Sequence, residues 1–132
     1  MKVKFWKVSK MSEEKIVGII RDWRAALEKA DAEKALSLIT DDAVWVMSQG
    51  TFKGKAEWKR ALAEMQKVGR DVKFKDGEFG IVVKGNKATS EYTLEYKTMD
   101  GMKHESLGVC LYEFKNNKIQ HHWTFSLQPI GR

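Results

Sequence analysis

The chain has 132 residues, carries a net charge of +6 and is 42% hydrophobic and 32% charged. A chain of this length and composition forms one globular domain with its own core and is too short for two. A single cysteine excludes an internal disulfide and a thiolate zinc site, and no apolar run is long enough to span a bilayer.

The positive charge is spread along the chain rather than gathered into a motif. Lysines such as Lys29, Lys59, Lys84 and Lys115 occupy predicted helices, strands and turns alike. Nucleic-acid binding needs a local basic patch, so we expect a solvated basic surface instead. The basic N-terminal segment lacks the apolar core of a secretory signal, and a cytoplasmic location is therefore expected.

Residues 1–11 are predicted to be an N-terminal extension. Two alternatives remain open for its structure. It is either an added edge strand built on Val3, Phe5 and Val8, or a loose arm ahead of a natural start at Met11. The globular domain is predicted to cover residues 12–132.

Three helices are predicted in the first half of the domain. Ser12 and Asp31 are good N-caps for the first two, and the third begins near Lys55. Apolar residues recur at helical spacing in each of them. These buried faces consist of Ile16, Ile19, Ile20, Trp23, Leu27 and Ala30, then Leu36 and Ile39, then Trp58, Leu62 and Met65.

After Gly69 the apolar residues alternate with a period of two, which predicts antiparallel strands. Asp100-Gly101 and Asn116-Asn117 are typical of hairpin turns between them. Helices followed by a strand meander predict an α+β fold, with about three N-terminal helices packed in a strongly curved, mostly antiparallel sheet.

The last hairpin predicts which side chains share a face. If Asn116-Asn117 is a two-residue turn, then one apolar face carries the pairs Phe114–Ile119, Tyr112–His121, Cys110–Trp123 and Gly108–Phe125. The opposite face then carries Gln120, His122, Thr124 and Ser126.

The preceding hairpin gives the opposite parity. A two-residue turn at Asp100-Gly101 pairs Leu94 with Leu107 and Tyr92 with Val109. A bulge near Gly108 or a longer loop over Thr98–Met102 would reconcile the two hairpins, and we favour the bulge. With it, one concave face is expected to contain Tyr92, Leu94, Cys110, Tyr112, His121 and Trp123.

Three short pieces resemble the opening of a nuclear transport factor 2-like, or SnoaL-like, cone domain. They are Ala30-Asp31-Ala32, Asp41-Asp42-Ala43-Val44-Trp45 and Gly50-x-x-x-Gly54. Two longer segments, WRAALEKAD…LITDDAVWVMSQG and YTLEY…GVCLYEFKNNKI, are similar to ketosteroid isomerases. The resemblance implies one cone-shaped domain over 12–132 and a homodimer.

The same resemblance argues against ketosteroid isomerase activity. That family uses a tyrosine of the first helix, an aspartate base at the end of the first strand and a protonated aspartate in the penultimate strand. These positions fall on Trp23, Met47 and Cys110, none of which keeps the chemistry. The arginine-linked aspartate pair of the related epoxide hydrolases has no evident counterpart.

The predicted concavity is aromatic and rich in sulfur, which suits an apolar or aromatic small molecule. Its candidate ligand-binding residues are Trp23, Trp45, Met47, Tyr92, Leu94, Trp123 and Phe125, with Gln49 at the mouth. The expected function is therefore small-molecule binding, and the resemblance to SnoaL-like proteins implies, in addition, an isomerase, cyclase or dehydratase-type reaction. The alternatives are that these side chains fill the cone themselves, and that the protein is a non-catalytic dimerisation or interaction module.

His121, Tyr112 and Cys110 are the candidate catalytic residues. His121, opposite Tyr112, would act as acid or base, or else be a buried neutral histidine bonded to that tyrosine. Cys110 would be a nucleophile near His121 or an inert buried thiol. The adjacent His121 and His122 point to opposite faces, so no metal site and no cofactor are expected.

Overall fold

The structure, a computed structural model, describes residues 11–127. The predicted extension, apart from Met11, lies outside these residues. The helices are α1 (Glu13–Glu28), α2 (Ala32–Ser37) and α3 (Gly54–Val68). The strands are β1 (Ile39–Met47), β2 (Gly50–Lys53), β3 (Arg70–Lys84), β4 (Lys87–Lys97), β5 (Lys103–Lys115) and β6 (Lys118–Leu127). Within residues 11–127 no helix is both long and apolar enough to cross a membrane.

The predicted helix starts are confirmed by their caps. The Ser12 hydroxyl accepts from the Lys15 amide at 3.1 Å, and the Asp31 carboxylate accepts from the Lys34 amide at 3.0 Å. Each bond satisfies an amide that has no partner inside its helix. The third helix starts at Gly54, one residue before the predicted position.

The strands form one six-stranded, curved sheet in the order β2-β1-β6-β5-β4-β3. All neighbouring pairs are antiparallel except β1 and β6, which run parallel. The predicted α+β class with N-terminal helices is confirmed. We call the face that packs against the helices the inner face, and it contributes Tyr92, Cys110 and Tyr112 to the core. The opposite face is the outer face.

The predicted register of the β5–β6 hairpin is correct at the turn and wrong beyond it. Phe114 pairs with Ile119 as expected, but Glu113 then pairs with His121. The extra residue is Gln120, at the point where the Ile119 amide donates to the Leu38 carbonyl ahead of β1 instead of to β5. A one-residue bulge reverses the direction of every later side chain in the strand.

The β4–β5 hairpin also differs from the favoured prediction. Its loop covers Thr98–Met102, closed by a bond from the Thr98 amide to the Met102 carbonyl at 3.0 Å, and no bulge occurs at Gly108. Tyr92 is therefore opposite Gly108, and Leu94 is opposite Ser106. The alternative of a longer loop is the correct one.

The Gln120 bulge and the longer loop over Thr98–Met102 together change which residues form the inner face. Tyr92, Leu94, Cys110 and Tyr112 share it, as predicted. In β6, however, the inner residues are His122, Thr124 and Ser126. The prediction that His121, Trp123 and Phe125 belong to the concave face is wrong, because the Gln120 bulge turns them to the outer face.

Candidate functional site

One part of the interior is filled by a group of aromatic rings. Trp23 of α1, Trp45 of β1 and Trp58 of α3 surround the imidazole of His122, and we call these four residues the tryptophan cluster. The ring centroids of Trp23 lie 5.5 Å from Trp45 and 5.6 Å from Trp58, in edge-to-face geometry. The His122 ring is stacked on Trp45 at 5.4 Å and on Tyr112 at 4.5 Å. None of these rings is more than 2% exposed, so here the protein's own side chains occupy the cone.

The tryptophan cluster is held by specific hydrogen bonds as well as by packing. The Trp58 indole N–H donates to the Ala43 carbonyl at 3.0 Å, and the Trp45 indole N–H donates to the Thr124 hydroxyl at 2.9 Å. A buried indole without a partner would lose stability, so these bonds fix the orientation of both rings. The Trp45 bond leads into a second, polar part of the inner face.

That second part is a row of hydrogen-bonding side chains that crosses β4, β5 and β6. The Tyr92 oxygen lies 3.3 Å from the Cys110 sulfur, which lies 3.7 Å from the Thr124 oxygen. The Thr124 oxygen is 3.3 Å from Nε2 of His122, and Nδ1 of His122 is 3.2 Å from the Leu111 carbonyl. We call Tyr92, Cys110, Thr124 and His122 the polar chain.

The carbonyl at one end sets the direction of the whole polar chain. A carbonyl only accepts, so Nδ1 of a neutral His122 carries the proton and Nε2 accepts from Thr124. Thr124 then accepts from the Cys110 thiol, and Cys110 accepts from the Tyr92 hydroxyl. Among residues 11–127 the Tyr92 oxygen has no second hydrogen-bond partner, so its lone pairs are left at the free end of the polar chain.

Four buried titratable groups of the inner face are held in their neutral forms. Burial lowers the pKa of His122 to about 4. Burial also raises the pKa values of the Cys110 thiol and of the Tyr92 and Tyr112 phenols. At neutral pH these groups therefore donate and accept hydrogen bonds but carry no charge.

Close packing explains the glycine in this part of β5. A Cβ added at Gly108 would lie 2.4 Å from Cζ of Tyr92 and 2.6 Å from its oxygen. The phenol ring lies over Gly108, and its hydroxyl bonds to Cys110. Any side chain at position 108 would displace the ring.

A charged residue borders the polar chain. Arg24 of α1 is 6% exposed, and its Nη1 donates a short hydrogen bond to Asp76 of β3. The carbon of the guanidinium lies 5.4 Å from the centre of the Tyr92 ring and 5.7 Å from that of Phe74. The bond from Arg24 lowers the pKa of Asp76, with a further contribution from Arg21 at 3.2 Å, so the carboxylate stays ionised.

The other predicted ligand-binding residues occupy different places. Met47, at the end of β1, and Leu94 are partly buried against the core. Gln49 is exposed in the turn between β1 and β2. Trp123 and Phe125 lie on the outer face.

His121 is separated from the residues predicted to act with it. It lies on the outer face, where its ring stacks on Trp123 at 4.0 Å and its Nδ1 is 3.6 Å from Glu113. His122 takes the place opposite Tyr112 that was predicted for His121. The structure therefore brings Tyr112 and Cys110 together on the inner face without His121.

Arg24, His122 and Thr124 were not identified as site residues from the sequence. Position 24 continues the spacing of Ile16 and Ile20 by one further turn of α1, so a charge on an otherwise apolar stripe was the available signal. His122 and Thr124 had no such signal, because their face depends on a bulge that the sequence does not mark.

The family of the chain is shown by comparison with known proteins. A family model described as a SnoaL-like domain matches residues 20–122. The chain belongs to the SnoaL-like family. No curated protein matches it.

Solved structures share this SnoaL-like fold at low sequence identity. A protein with a ketosteroid isomerase-like fold from Catenulispora acidiphila, in complex with trimethylamine, has a TM-score of 0.73 and 15% identity, over 81% of this chain and 83% of that one. TerC, co-crystallised with polyporic acid, has a TM-score of 0.73 and 20% identity, over 83% and 88%. A nuclear transport factor 2-like protein of unknown function from Burkholderia pseudomallei has a TM-score of 0.76 and 15% identity, over 87% and 91%. Identities this low establish the shared fold alone.

Proposed function

We propose that the protein binds an apolar or aromatic small molecule on the inner face, beside the polar chain and between Met47 and Leu94. The observation that carries the proposal is the polar chain itself, which places directed hydrogen-bonding groups on an apolar wall. Apolar walls with a few convergent polar groups are typical of small-molecule sites. Thr124 is only partly buried, so the polar chain is reached from solvent at this residue.

Two relatives support this proposal by their ligands. The structure from Catenulispora acidiphila contains trimethylamine, and TerC was co-crystallised with polyporic acid. These molecules belong to those proteins, but they show that folds similar to this one accept small organic ligands. We extend that capacity to this chain and keep the expected cytoplasmic location as part of the proposal.

Binding is favoured over turnover by the protonation states of the inner face. Proton transfer at neutral pH works best with a group whose pKa lies near 7. The pKa of His122 is about 4, and burial moves the pKa values of the Cys110 thiol and the Tyr92 phenol upwards. These groups suit recognition of a ligand by neutral hydrogen bonds.

Calorimetric titration with 2-naphthylmethanol, a flat neutral probe, tests the proposal. Tyr92→Phe removes the hydroxyl whose lone pairs are free at the end of the polar chain, and it should weaken binding by about threefold to tenfold, the value of one hydrogen bond. Tyr96→Phe is the matched control, since Tyr96 is a partly buried tyrosine of the same strand whose ring stacks on His104 outside the polar chain. The proposal would be contradicted if the wild type did not bind 2-naphthylmethanol, or if both variants lost the same amount of affinity for it.

A second candidate function, homodimer formation, is favoured by the outer face. Three apolar pairs lie side by side between β5 and β6: Leu107–Leu127, Val109–Phe125 and Leu111–Trp123. Leu107, Phe125 and Leu127 are 53%, 52% and 60% exposed. Large exposed apolar patches of this kind mark interfaces.

A second copy of the chain is the proposed occupant of this patch. The outer face of the neighbouring β4 carries lysines at both ends, Lys87 and Lys97, and Glu91 and Glu95 between them. A twofold axis would allow a lysine at the end of one copy to lie near the glutamates of the other, as a self-complementary interface requires.

Light scattering of Phe125→Glu tests the dimer. The wild type should have the mass of two chains and Phe125→Glu that of one, because a charge would be buried in the interface. Phe79→Glu is the control, since Phe79 is 78% exposed in β3 and lies away from these pairs. A monomeric wild type would contradict the proposal.

A further inference from the structure

Arg24 is a buried cation that the described residues only partly satisfy. One nitrogen, Nη1, bonds to Asp76, whereas Nε and Nη2 are buried with no hydrogen-bond partner among residues 11–127. A guanidinium presents several N–H donors in a fixed fork, and donors left unpaired in a low-dielectric interior are costly. The aromatic faces of Phe74 and Tyr92 stabilise the charge but do not accept these directional bonds fully.

Asp76 does not remove the need for a further partner. Its side chain is 36% exposed, and its second oxygen is occupied by Arg21 at 3.2 Å. The nearby carboxylate of Glu28 accepts from the Phe74 amide at 2.7 Å. The carboxylates of Asp76 and Glu28 therefore already accept other hydrogen bonds. Among residues 11–127, Nε and Nη2 of Arg24 remain without an acceptor.

Asp76 of β3 is already bonded to Arg24, and the described residues of the next three strands bring no further negative side chain to this site. On β4, β5 and β6, the described inner-face residues include no aspartate or glutamate, and the four glutamates of β4 and β5 are on the outer face. An anion bound here would meet a cation and the neutral dipoles of those strands, and the one like charge bonded to Arg24, that of Asp76, is also paired with Arg21. Phe74 and Leu94, paired across β3 and β4 and partly exposed, add an apolar platform beside Arg24.

We propose that the ligand is a planar aromatic carboxylate, whose carboxylate binds the free N–H groups of Arg24 while its ring lies against Phe74 and Leu94. This inference rests on the proposed binding function and adds the charge and the orientation of the ligand. Carboxylates match the guanidinium fork with parallel charge-assisted bonds, which a neutral hydroxyl cannot reproduce.

Calorimetric titration with 2-naphthoate and 2-naphthylmethanol tests the charge preference, because the two probes share a ring system. The wild type should bind 2-naphthoate at least about tenfold more tightly, the value of a hydrogen bond to a charged group. Arg24→Met should remove this preference while leaving the affinity for 2-naphthylmethanol within about twofold. Arg21→Met is the matched control, since it removes the other arginine of the same carboxylate and should keep the preference.

The variants remain informative if one of them folds poorly. Removing one partner of an ion pair is costly when the remaining charge stays buried, but Asp76 is 36% exposed and keeps Arg21 in Arg24→Met, so this variant should fold. Arg24→Lys keeps the charge but removes the fork, and it should weaken 2-naphthoate binding selectively. Equal wild-type affinity for both probes, or a preference that survives both Arg24 variants, would overturn the inference and leave the proposed binding function standing. Failure of both probes to bind would overturn both.

Discussion

The tryptophan cluster and the polar chain share His122 and lie side by side on the inner face, but they differ in packing and in hydrogen bonding. In the cluster, large rings fill space, and each indole of β1 and α3 has one well-placed acceptor. In the polar chain, smaller groups form a directed series whose free end is a tyrosine oxygen beside an arginine that the described residues pair only in part. The difference teaches that one side of the interior satisfies the indole N–H groups of Trp45 and Trp58, whereas the other leaves hydrogen-bonding groups without a partner among residues 11–127.

The largest expected effect comes from breaking the tryptophan cluster. Trp58→Ala should lower the free energy of unfolding by about 3–5 kcal/mol, because it leaves a cavity and an unpaired Ala43 carbonyl. Phe79→Ala is the control, with a ring that is 78% exposed and lies outside both the cluster and the proposed dimer patch, and should cost about 1 kcal/mol or less. Urea denaturation measures both values. Equal losses of unfolding free energy in the two variants would show that the tryptophan cluster contributes no more to stability than an aromatic residue outside it.

His122 gives the next largest effect because it joins the two regions. Its pKa falls from 6.5 to about 4 on folding, so its contribution to stability is complete above pH 6.5 and is lost as the pH falls towards 4. The shift corresponds to about 3 kcal/mol. The stability of the wild type should fall by roughly that amount relative to His122→Phe, which has no imidazole to protonate at this position.

His121→Gln keeps His122 and should retain the loss of stability between pH 6.5 and 4. Unfolding curves at a series of pH values measure the difference, and NMR titration reports the protonation of His122 directly. A protonation midpoint near 6.5 in the folded protein would show that the imidazole is not enclosed by the tryptophan cluster.

A smaller effect is expected where the polar chain depends on a glycine. Gly108→Ala should lower the free energy of unfolding by about 1–3 kcal/mol, because the new methyl group overlaps the Tyr92 ring. Gly18→Ala in α1, where no atom lies within 4 Å of the new carbon, should instead gain up to about 1 kcal/mol. Thermal unfolding compares the two. If both variants are stabilised, Tyr92 moves freely and the polar chain is not held in one arrangement.

Much of the fold could be predicted because its causes are local. Ser12 and Asp31 cap their helices through bonds to residues three positions along, and such patterns are visible in sequence. The tight turn at Asn116-Asn117 is equally local, since both asparagines adopt positive φ angles of 53° and 63°. These elements confirm that short-range chemistry determines where helices and hairpins begin.

The candidate site was predicted only in part because its cause is not local. Tyr92, Cys110 and Tyr112 fall on the predicted face, since their strands alternate without interruption. His121 and His122 exchange faces because Gln120 adds a residue where β6 leaves β5 to meet β1. That choice depends on a strand at the other end of the chain, and no neighbouring residue signals it.

The parallel pairing of β1 with β6 has a consequence for how the molecule is made. Trp45 packs on His122 only when β6 is present. The hydrogen bonds between β1 and β6 therefore cannot form until nearly the whole described chain has been synthesised. Contacts between residues so distant in sequence slow folding, because the intervening chain must be ordered first. During synthesis, the helices and the β3–β4 hairpin emerge early, while Trp23, Trp45 and Trp58 stay exposed to solvent until β6 leaves the ribosome. The last step of folding therefore closes the hydrophobic interior, and a chain truncated before β6 would expose it to aggregation.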